Sequence, residues 1–198
     1  MNLFYRALAC AGLSTLAFTP PASAAQGPSF KCSDTMSSSV EDIICKTAEL
    51  AALDRTLATA YNAALKKAGA DSKPLKAEQR GWIKGRDECW KADDKQTCIS
   101  SSYRQRIIEV QSTYGLVAST GPVRFDCGSN GTVSATFFQT EPPSLAATYK
   151  SQRSLMIAAP SASGSRYQGQ NESFWEHQGE ARVTWGYGAP EMTCTKKS

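Results

Sequence analysis

A serine among small residues and the only histidine of the chain are the side chains best placed to do chemistry. Ser163 stands between Ala162 and Gly164, and His177 follows an aromatic pair at Phe174-Trp175. A serine and a histidine can act as nucleophile and general base, but the sequence has no G-x-S-x-G motif and no second histidine. One histidine also excludes metal sites built from several, such as HExxH. We therefore predict a protein that is not an enzyme and that needs no cofactor or metal.

The N-terminus explains why a chain of 198 residues contains seven cysteines. Residues 1–24 have the pattern of a secretory signal peptide, with the single charge of Arg6, an apolar run from Ala7 to Phe18 and a small-residue cleavage site at Ala22-Ser23-Ala24. Cys10 lies inside the apolar run, with too little apolar sequence before it for a lipoprotein signal, so cleavage removes it. Six cysteines remain, and an even number in an exported chain predicts disulfide bonds.

The apolar run is too short to anchor the chain in a bilayer, so we expect no stable membrane insertion. The expected location is periplasmic or secreted, with the protein soluble after signal-peptide cleavage. The formal net charge is +4, from 22 basic and 18 acidic residues, and there is no long run of one sign. This balance gives no case for a nucleic acid as a partner.

Apolar residues from Ser39 to Gly115 recur every three or four positions, which predicts helices. A capping pattern at Ser39, a first-turn proline at Pro74 and a start near Gln96 mark where they begin. Glycines at positions 69 and 115 mark stops. The last helix is predicted to turn four residues inward, namely Ile99, Tyr103, Ile107 and Val110.

After Gly121-Pro122 the pattern changes to β-branched and aromatic residues that alternate with polar ones. Candidate strands are Val123–Cys127, Thr132–Gln139, Leu145–Tyr149, Arg153–Ala158, Glu172–His177 and Ala181–Trp185. Short strands at this spacing indicate a small antiparallel sandwich or barrel. The predicted fold class is α+β in two segregated domains, with a helical domain at 25–116, a linker at 117–122 and a β domain at 123–198.

This division reduces the 15 pairings that six cysteines allow, because each half holds an even number. Cys127 and Cys194 lie near the two ends of the β half, where one bond would close a small domain. In the helical half we favour the two local pairs, Cys32–Cys45 and Cys89–Cys98. No CxxC motif is present, which argues against redox catalysis.

Several short motifs run through the helical half. They are Ile44-Cys45, Leu50–Asp54 with Tyr61 following, Gln79–Trp82 leading to Arg86–Cys89, and Cys98 followed by Tyr103–Ile107. From Cys32 to about Val110 this combination resembles the N-terminal domain of LprI-type lysozyme inhibitors. The resemblance implies a helical domain stapled by disulfides, and it assigns no defined role to that domain.

The β half carries Phe125-Asp126-Cys127, a serine- and glycine-rich loop at 161–167, the segment 174–181 and the terminal Cys194. It is similar to the membrane-bound inhibitors of c-type lysozyme, the MliC-like family, over nearly its whole length. The resemblance implies a small antiparallel β-barrel that pushes two loops into the substrate cleft of c-type lysozyme. The serine of the first loop matches Ser163, and the position of the family's lysine in the second loop is His177.

A lysozyme cleft holds two carboxyl groups, which a hydroxyl and a cation can engage without any reaction. We expect Gly164 to permit a close backbone approach, Tyr167 to brace the first loop from behind, and Trp175 to support the loops. An imidazole, with an ordinary pKa of about 6.5, is only partly charged at neutral pH. His177 therefore replaces the lysine as a pH-dependent cation, marks a different target, or is a structural residue beside Trp175 or Trp185.

The alternative function is a non-inhibitory periplasmic module that binds peptidoglycan or another envelope protein, with the helical half as binder and the barrel as scaffold. C-type lysozymes are usually basic, so long-range charge steering would not help a chain of mildly positive charge. The distinguishing observation is whether Glu172, Glu176 and Glu180 surround the His177 loop and face solvent.

Overall fold

The computed structural model describes residues 26–33 and 39–197. The predicted signal peptide lies outside the described residues. Within them the chain forms a helical part followed by a closed barrel of antiparallel strands. The predicted fold class, helices first and a small antiparallel barrel second, is confirmed.

Four helices build the N-terminal part: α1 Val40–Lys46, α2 Ala48–Ala68, α3 Lys73–Asp87 and α4 Lys95–Thr113. A short 3₁₀ turn, Gly69–Asp71, joins α2 to α3, and another, Glu88–Lys91, follows α3. The local sequence explains several of the helix ends. The Ser39 hydroxyl accepts a hydrogen bond from the Asp42 amide at the start of α1, and Asp94 caps α4 in the same way.

The helices pack around a core of buried apolar side chains, which includes the four residues of α4 predicted to face inward. These core residues are Val40, Ile44, Leu50, Leu57, Ala60, Ala64, Leu75, Cys89, Ile99, Tyr103, Ile107 and Val110. Two disulfides staple the domain, Cys32–Cys45 and Cys89–Cys98, as the sequence predicts. The second disulfide joins the 3₁₀ turn Glu88–Lys91 to the first turn of α4.

A buried polar chain crosses this core. The Tyr103 hydroxyl donates to Asp54 Oδ1 at 2.8 Å and accepts from Arg86 Nη1 at 2.9 Å. Asp87 holds the other side of the Arg86 guanidinium at 2.7 Å, and Ser29 donates its amide and its hydroxyl to Asp54 Oδ2. Every one of these buried groups is thereby paired, as burial requires.

The electrostatics of this chain fix its protonation. Burial raises the pKa of the Tyr103 hydroxyl, and Asp54 adds to this effect while Arg86 opposes it. Burial disfavours the charge of Arg86, but Tyr103 and Asp87 outweigh that effect and raise its pKa. Tyr103 is therefore a neutral hydroxyl between a cation and a carboxyl group.

The β part has eight strands: β1 Ser119–Asp126, β2 Thr132–Phe138, β3 Ser144–Tyr149, β4 Gln152–Ala159, β5 Ser165–Gln168, β6 Glu172–His177, β7 Glu180–Trp185 and β8 Met192–Lys196. Each strand pairs antiparallel with the next, and β8 pairs with β1 to close the barrel. The interior contains Phe125, Val133, Leu145, Met156, Phe174 and Val183 among its buried residues. The predicted Cys127–Cys194 disulfide joins the ends of the domain.

Two strands are absent from the sequence prediction, which gave six. β5 has only one buried residue, Tyr167, and β8 alternates Met192 and Cys194 with threonines. Neither stretch is rich in β-branched or aromatic apolar residues, which is the pattern that marks a strand. Both form because closure of the barrel supplies partners on both edges.

Residues 119–122, placed in the linker by the sequence analysis, belong to β1. The Gly121-Pro122 step coincides with a register shift against β2. Gly121 has φ +123°, and a Cβ there would lie 2.7 Å from the carbonyl oxygen of Ala135, so only glycine fits this irregular point in the strand. The Gly-Pro pair thus marks a bulge in this structure.

Helix α4 also lies against the outside of the barrel. Ile108 is fully buried but belongs to neither core, and α4 contacts β3. Gln105, Glu109 and Thr113 of α4 line a cavity of about 310 Å³ together with Arg153, Leu155 and Ile157 of β4. One helix therefore serves the helical core on one face and the barrel on the other.

We expect Tyr103→Phe to lower the free energy of unfolding by about 1–3 kcal/mol, because Asp54 Oδ1 and Arg86 Nη1 both lose their hydrogen bond to the buried hydroxyl. The control is Tyr61→Phe, since the half-buried Tyr61 makes no hydroxyl hydrogen bond within the described residues. Urea unfolding of both variants measures the difference. Equal stability of the two variants would show that the buried chain does not stabilise the domain.

Candidate functional site

The two predicted loops lie at the same end of the barrel. In a barrel of consecutive antiparallel strands, alternate connections share an end. The connection 160–164 between β4 and β5 therefore lies beside the turn 178–179 between β6 and β7. The pairing of Ser165 with Glu176 and of His177 with Glu180 brings the bases of the two connections together.

The first connection holds Ser163 at the surface. Its carbonyl oxygen accepts a hydrogen bond from Trp175 Nε1 at 2.8 Å and another from the Ser161 hydroxyl at 2.6 Å. The Ser163 side chain is exposed, and its hydroxyl makes no hydrogen bond to any described residue. The backbone of the loop is thus fixed while the hydroxyl is available to a partner.

Because Gly164 has no side chain, this loop can lie directly against the end of β6. Its φ is +66°, and a Cβ there would overlap the carbonyl oxygen of Glu176 and lie 3.0 Å from Cβ of His177. Gly164 thus lies in close contact with the strand that carries His177. A side chain at position 164 would force the two connections apart.

The second connection is a two-residue hairpin turn. Gln178 and Gly179 both have positive φ, +53° and +84°, the signature of a tight turn whose twist matches the strands. The Gly179 amide donates to Glu176 Oε1 at 3.1 Å. His177 is the last residue of β6 before this turn and is partly exposed.

Trp175 links the two connections on the outer face of the barrel. Its ring lies parallel to the His177 ring, with 3° between the planes and 6.0 Å between the centroids. The Arg182 guanidinium lies 5.2 Å from the Trp175 ring centroid. Trp175 thus makes one hydrogen bond to the first connection and ring contacts with His177 and Arg182.

Tyr167 lies inside the barrel rather than against the loop. It is buried and packs on Phe137, with 5.8 Å between ring centroids. Burial raises the pKa of its hydroxyl, and the nearby charge of Glu176 adds to this effect. Tyr167 can therefore support the loop only through the backbone of β5, the strand on which it lies.

The three glutamates do not form a ring around His177. Glu172 begins β6 at the other end of the barrel, where its Oε2 accepts from the Ser154 hydroxyl. Glu176 is partly buried and holds the Gly179 amide, and Glu180, opposite His177, is exposed. Of these three glutamates, Glu180 is the exposed one beside the His177 turn.

Arg166 lies beside Trp175 although its sequence context does not predict it there. Arg166, Trp175 and Arg182 are direct cross-strand neighbours on β5, β6 and β7. With Ser161, Ser173 and Glu191 they line a cavity of about 240 Å³. The alternation of outward and inward residues along a strand predicts that these three side chains share the outer face. That prediction can be made only once β5 is known to be a strand.

Comparison with known families identifies the class of both parts. The family described as lysozyme inhibitor LprI matches residues 32–120, and that described as membrane-bound lysozyme-inhibitor of c-type lysozyme matches residues 125–192. Both are families of inhibitors rather than of enzymes. The helical part followed by the barrel is thus a two-part lysozyme-inhibitor architecture.

Comparison with individual proteins narrows this class to one family. The chain is 32% identical over 176 residues to the protein named Lipoprotein LprI of Mycobacterium bovis and to that of Mycobacterium tuberculosis, covering 86% of this chain and 88% of each relative. The chain belongs to the LprI family of lysozyme inhibitors. No solved structure gives a significant match.

No helix in the part of the chain that the structure describes is long and apolar enough to cross a membrane. Among the same residues, no group of three or more histidine, cysteine or acidic side chains is arranged to hold a metal ion.

Gly164→Ala should separate the two connections, because the added Cβ overlaps the backbone of β6. Gly128→Ala is the matched control, since Gly128 has φ +63° but open space around a Cβ. We expect Gly164→Ala to cost about 1–3 kcal/mol more than the control, the range of overpacking. It should also shift the Trp175 indole N–H resonance, which reports the bond to Ser163. Equal stabilities and an unmoved resonance would contradict the close approach.

Proposed function

We propose that this protein inhibits c-type lysozyme by placing the 160–164 loop and the His177 hairpin together in the enzyme's substrate cleft. The proposal rests on one observation: the close approach at Gly164 and the hydrogen bond from Trp175 hold the two connections together. Because they are joined, the Ser163 hydroxyl and the His177 imidazole form one protrusion. Membership of a lysozyme-inhibitor family supports the same target.

The chemistry follows from the groups presented. Ser163 offers a hydroxyl donor on a fixed backbone, suited to one of the two carboxyl groups that flank the scissile bond. His177 offers an imidazolium to the other, and exclusion of water from the cleft strengthens both contacts. The stacked Trp175 ring orients the imidazole, so little side-chain freedom is lost on binding.

We further propose that the protein acts outside the cytoplasm. Three disulfides bond all six cysteines of the predicted mature chain, which fits an oxidising compartment. The relatives are named lipoproteins, so surface anchoring is the competing arrangement to a freely soluble protein. Mass spectrometry of the exported protein distinguishes the two, because an N-terminal lipid adds mass at a cysteine whereas simple cleavage leaves Ala25.

Ser163→Ala should weaken lysozyme inhibition by about 1–3 kcal/mol in binding free energy, the value of a hydrogen bond to a charged group. Ser129→Ala, an exposed serine at the other end of the barrel, is the control and should leave the inhibition constant unchanged. Inhibition constants from a lytic assay on purified mature proteins measure both effects. An unchanged constant for Ser163→Ala would remove this residue from the contact.

Replacement of His177 should change how inhibition depends on pH. An imidazolium pairs with a carboxylate only while the imidazole is protonated. The affinity that such a pair contributes should therefore be greatest at low pH and fade as the pH rises. His177→Lys should remove most of this dependence, and His177→Ala should lose the low-pH gain.

The measurement is the inhibition constant from pH 5 to 8.5, corrected for lysozyme's own titration. Three indistinguishable profiles would show that His177 is a structural neighbour of Trp175 and not a contact. A pH-independent gain with His177→Lys alone would show that the cleft accepts a cation at this position.

A further inference from the structure

A second groove lies at the end of the barrel opposite the inhibitory loops. It has a volume of about 540 Å³ and is bounded by Gln105 of α4, by the start of β4, by the β5–β6 connection and by Trp185 at the end of β7. This volume is within the usual range for small-molecule sites, about 300–1,000 Å³. Because α4 forms one wall, the groove exists only where the helical part meets the barrel.

The floor of the groove is built from side chains that hold one another in place. The Ser154 hydroxyl donates to Glu172 Oε2 at 2.9 Å, and Trp185 Nε1 donates to Gln152 Oε1 at 3.1 Å. Gly169 makes room for the first pair, since a Cβ there would lie 2.8 Å from Glu172 Oε2 and 2.9 Å from Ser154 Oγ. The floor is therefore pre-organised rather than a loose polar surface.

Further polar groups converge on the groove without partners of their own. Within residues 26–33 and 39–197, the side chains of Gln105, Arg153, Gln170 and Asn171 make no hydrogen bond or ion pair, and all four are exposed. An amide group can donate and accept at once. The groove therefore offers several amide donors and acceptors beside one indole ring.

We propose that this groove binds a short N-acetylated glycan. Sugar hydroxyls and acetamido groups each donate and accept hydrogen bonds, which matches amide side chains. The indole of Trp185, supported by Tyr149 at 5.6 Å between centroids, offers an apolar face to a sugar ring or an acetamido methyl group. Arg153 and Glu172 balance each other in charge, which favours this ligand over a polyanion.

The inference goes beyond lysozyme inhibition and does not depend on it. Glycan strands of N-acetylated sugars are the material that a lysozyme cleaves, so such a groove would hold the inhibitor where the enzyme works. The inhibitory loops at the opposite end of the barrel would remain accessible to the enzyme. Glycan binding and enzyme inhibition are therefore separable by mutation.

The test is titration of the ¹⁵N-labelled mature protein with N-acetylglucosamine tetramer (chitotetraose), in the absence of any lysozyme. We expect shifts in the Trp185 indole N–H and in the side-chain amides of Gln105 and Gln170. Cellotetraose, which has the same linkage with hydroxyls in place of acetamido groups, should bind at least about fivefold more weakly, the loss of one hydrogen bond.

The double variant Gln105→Ala/Gln170→Ala should weaken chitotetraose binding by about fivefold or more for each lost bond and leave lysozyme inhibition unchanged. Gln139→Ala, an exposed glutamine at the loop end of the barrel, is the control. No shifts at millimolar chitotetraose, equal affinity for cellotetraose, or shifts confined to the Ser163 loop would each overturn the proposal. Loss of inhibition in Ser163→Ala with sugar binding intact would leave it standing.

Discussion

The close approach of Gly164 to the end of β6 is the constraint on which the proposed inhibitory end of the barrel depends. Because no side chain stands at this position, the Ser163 loop rests on the backbone of Glu176 and beside His177. The Trp175 indole N–H then donates a hydrogen bond to the Ser163 carbonyl oxygen, and the Trp175 ring lies parallel to that of His177. Ser163 and His177, 14 positions apart in sequence, thus lie on two joined connections, which form the proposed protrusion.

The rest of the fold keeps this protrusion in place. Closure of the barrel pairs β5 and β8 on both edges, so a loop that follows β4 cannot swing away from β6. The Cys127–Cys194 bond ties the residue that follows β1 to β8, and α4 packs against the outside of the barrel at β3. The helical part is itself fixed by the paired chain of Asp54, Tyr103 and Arg86. Its contact with the barrel also creates the amide-lined groove, a feature that neither part has alone.

The sequence predicts what depends on local patterns. Helix ends at Ser39 and Gly69, all three disulfides and the two segregated parts agree with the structure, because caps, cysteine parity and periodicity are encoded locally. Features that depend on three-dimensional closure are not predictable in this way. β5 carries a single inward residue, so its strand character, and with it the place of Arg166 beside Trp175, emerges only from pairing. Gln105 likewise lies beside the barrel only because α4 packs against it.

The most direct test of the account is hydrogen–deuterium exchange of the mature protein, alone and in complex with a c-type lysozyme. The account predicts protection confined to residues 161–164 and 177–180, and loss of that protection when a substrate analogue already fills the lysozyme cleft. Protection on the helical part with the loops still exchanging freely would contradict it. So would a complex that forms equally well when the cleft is occupied.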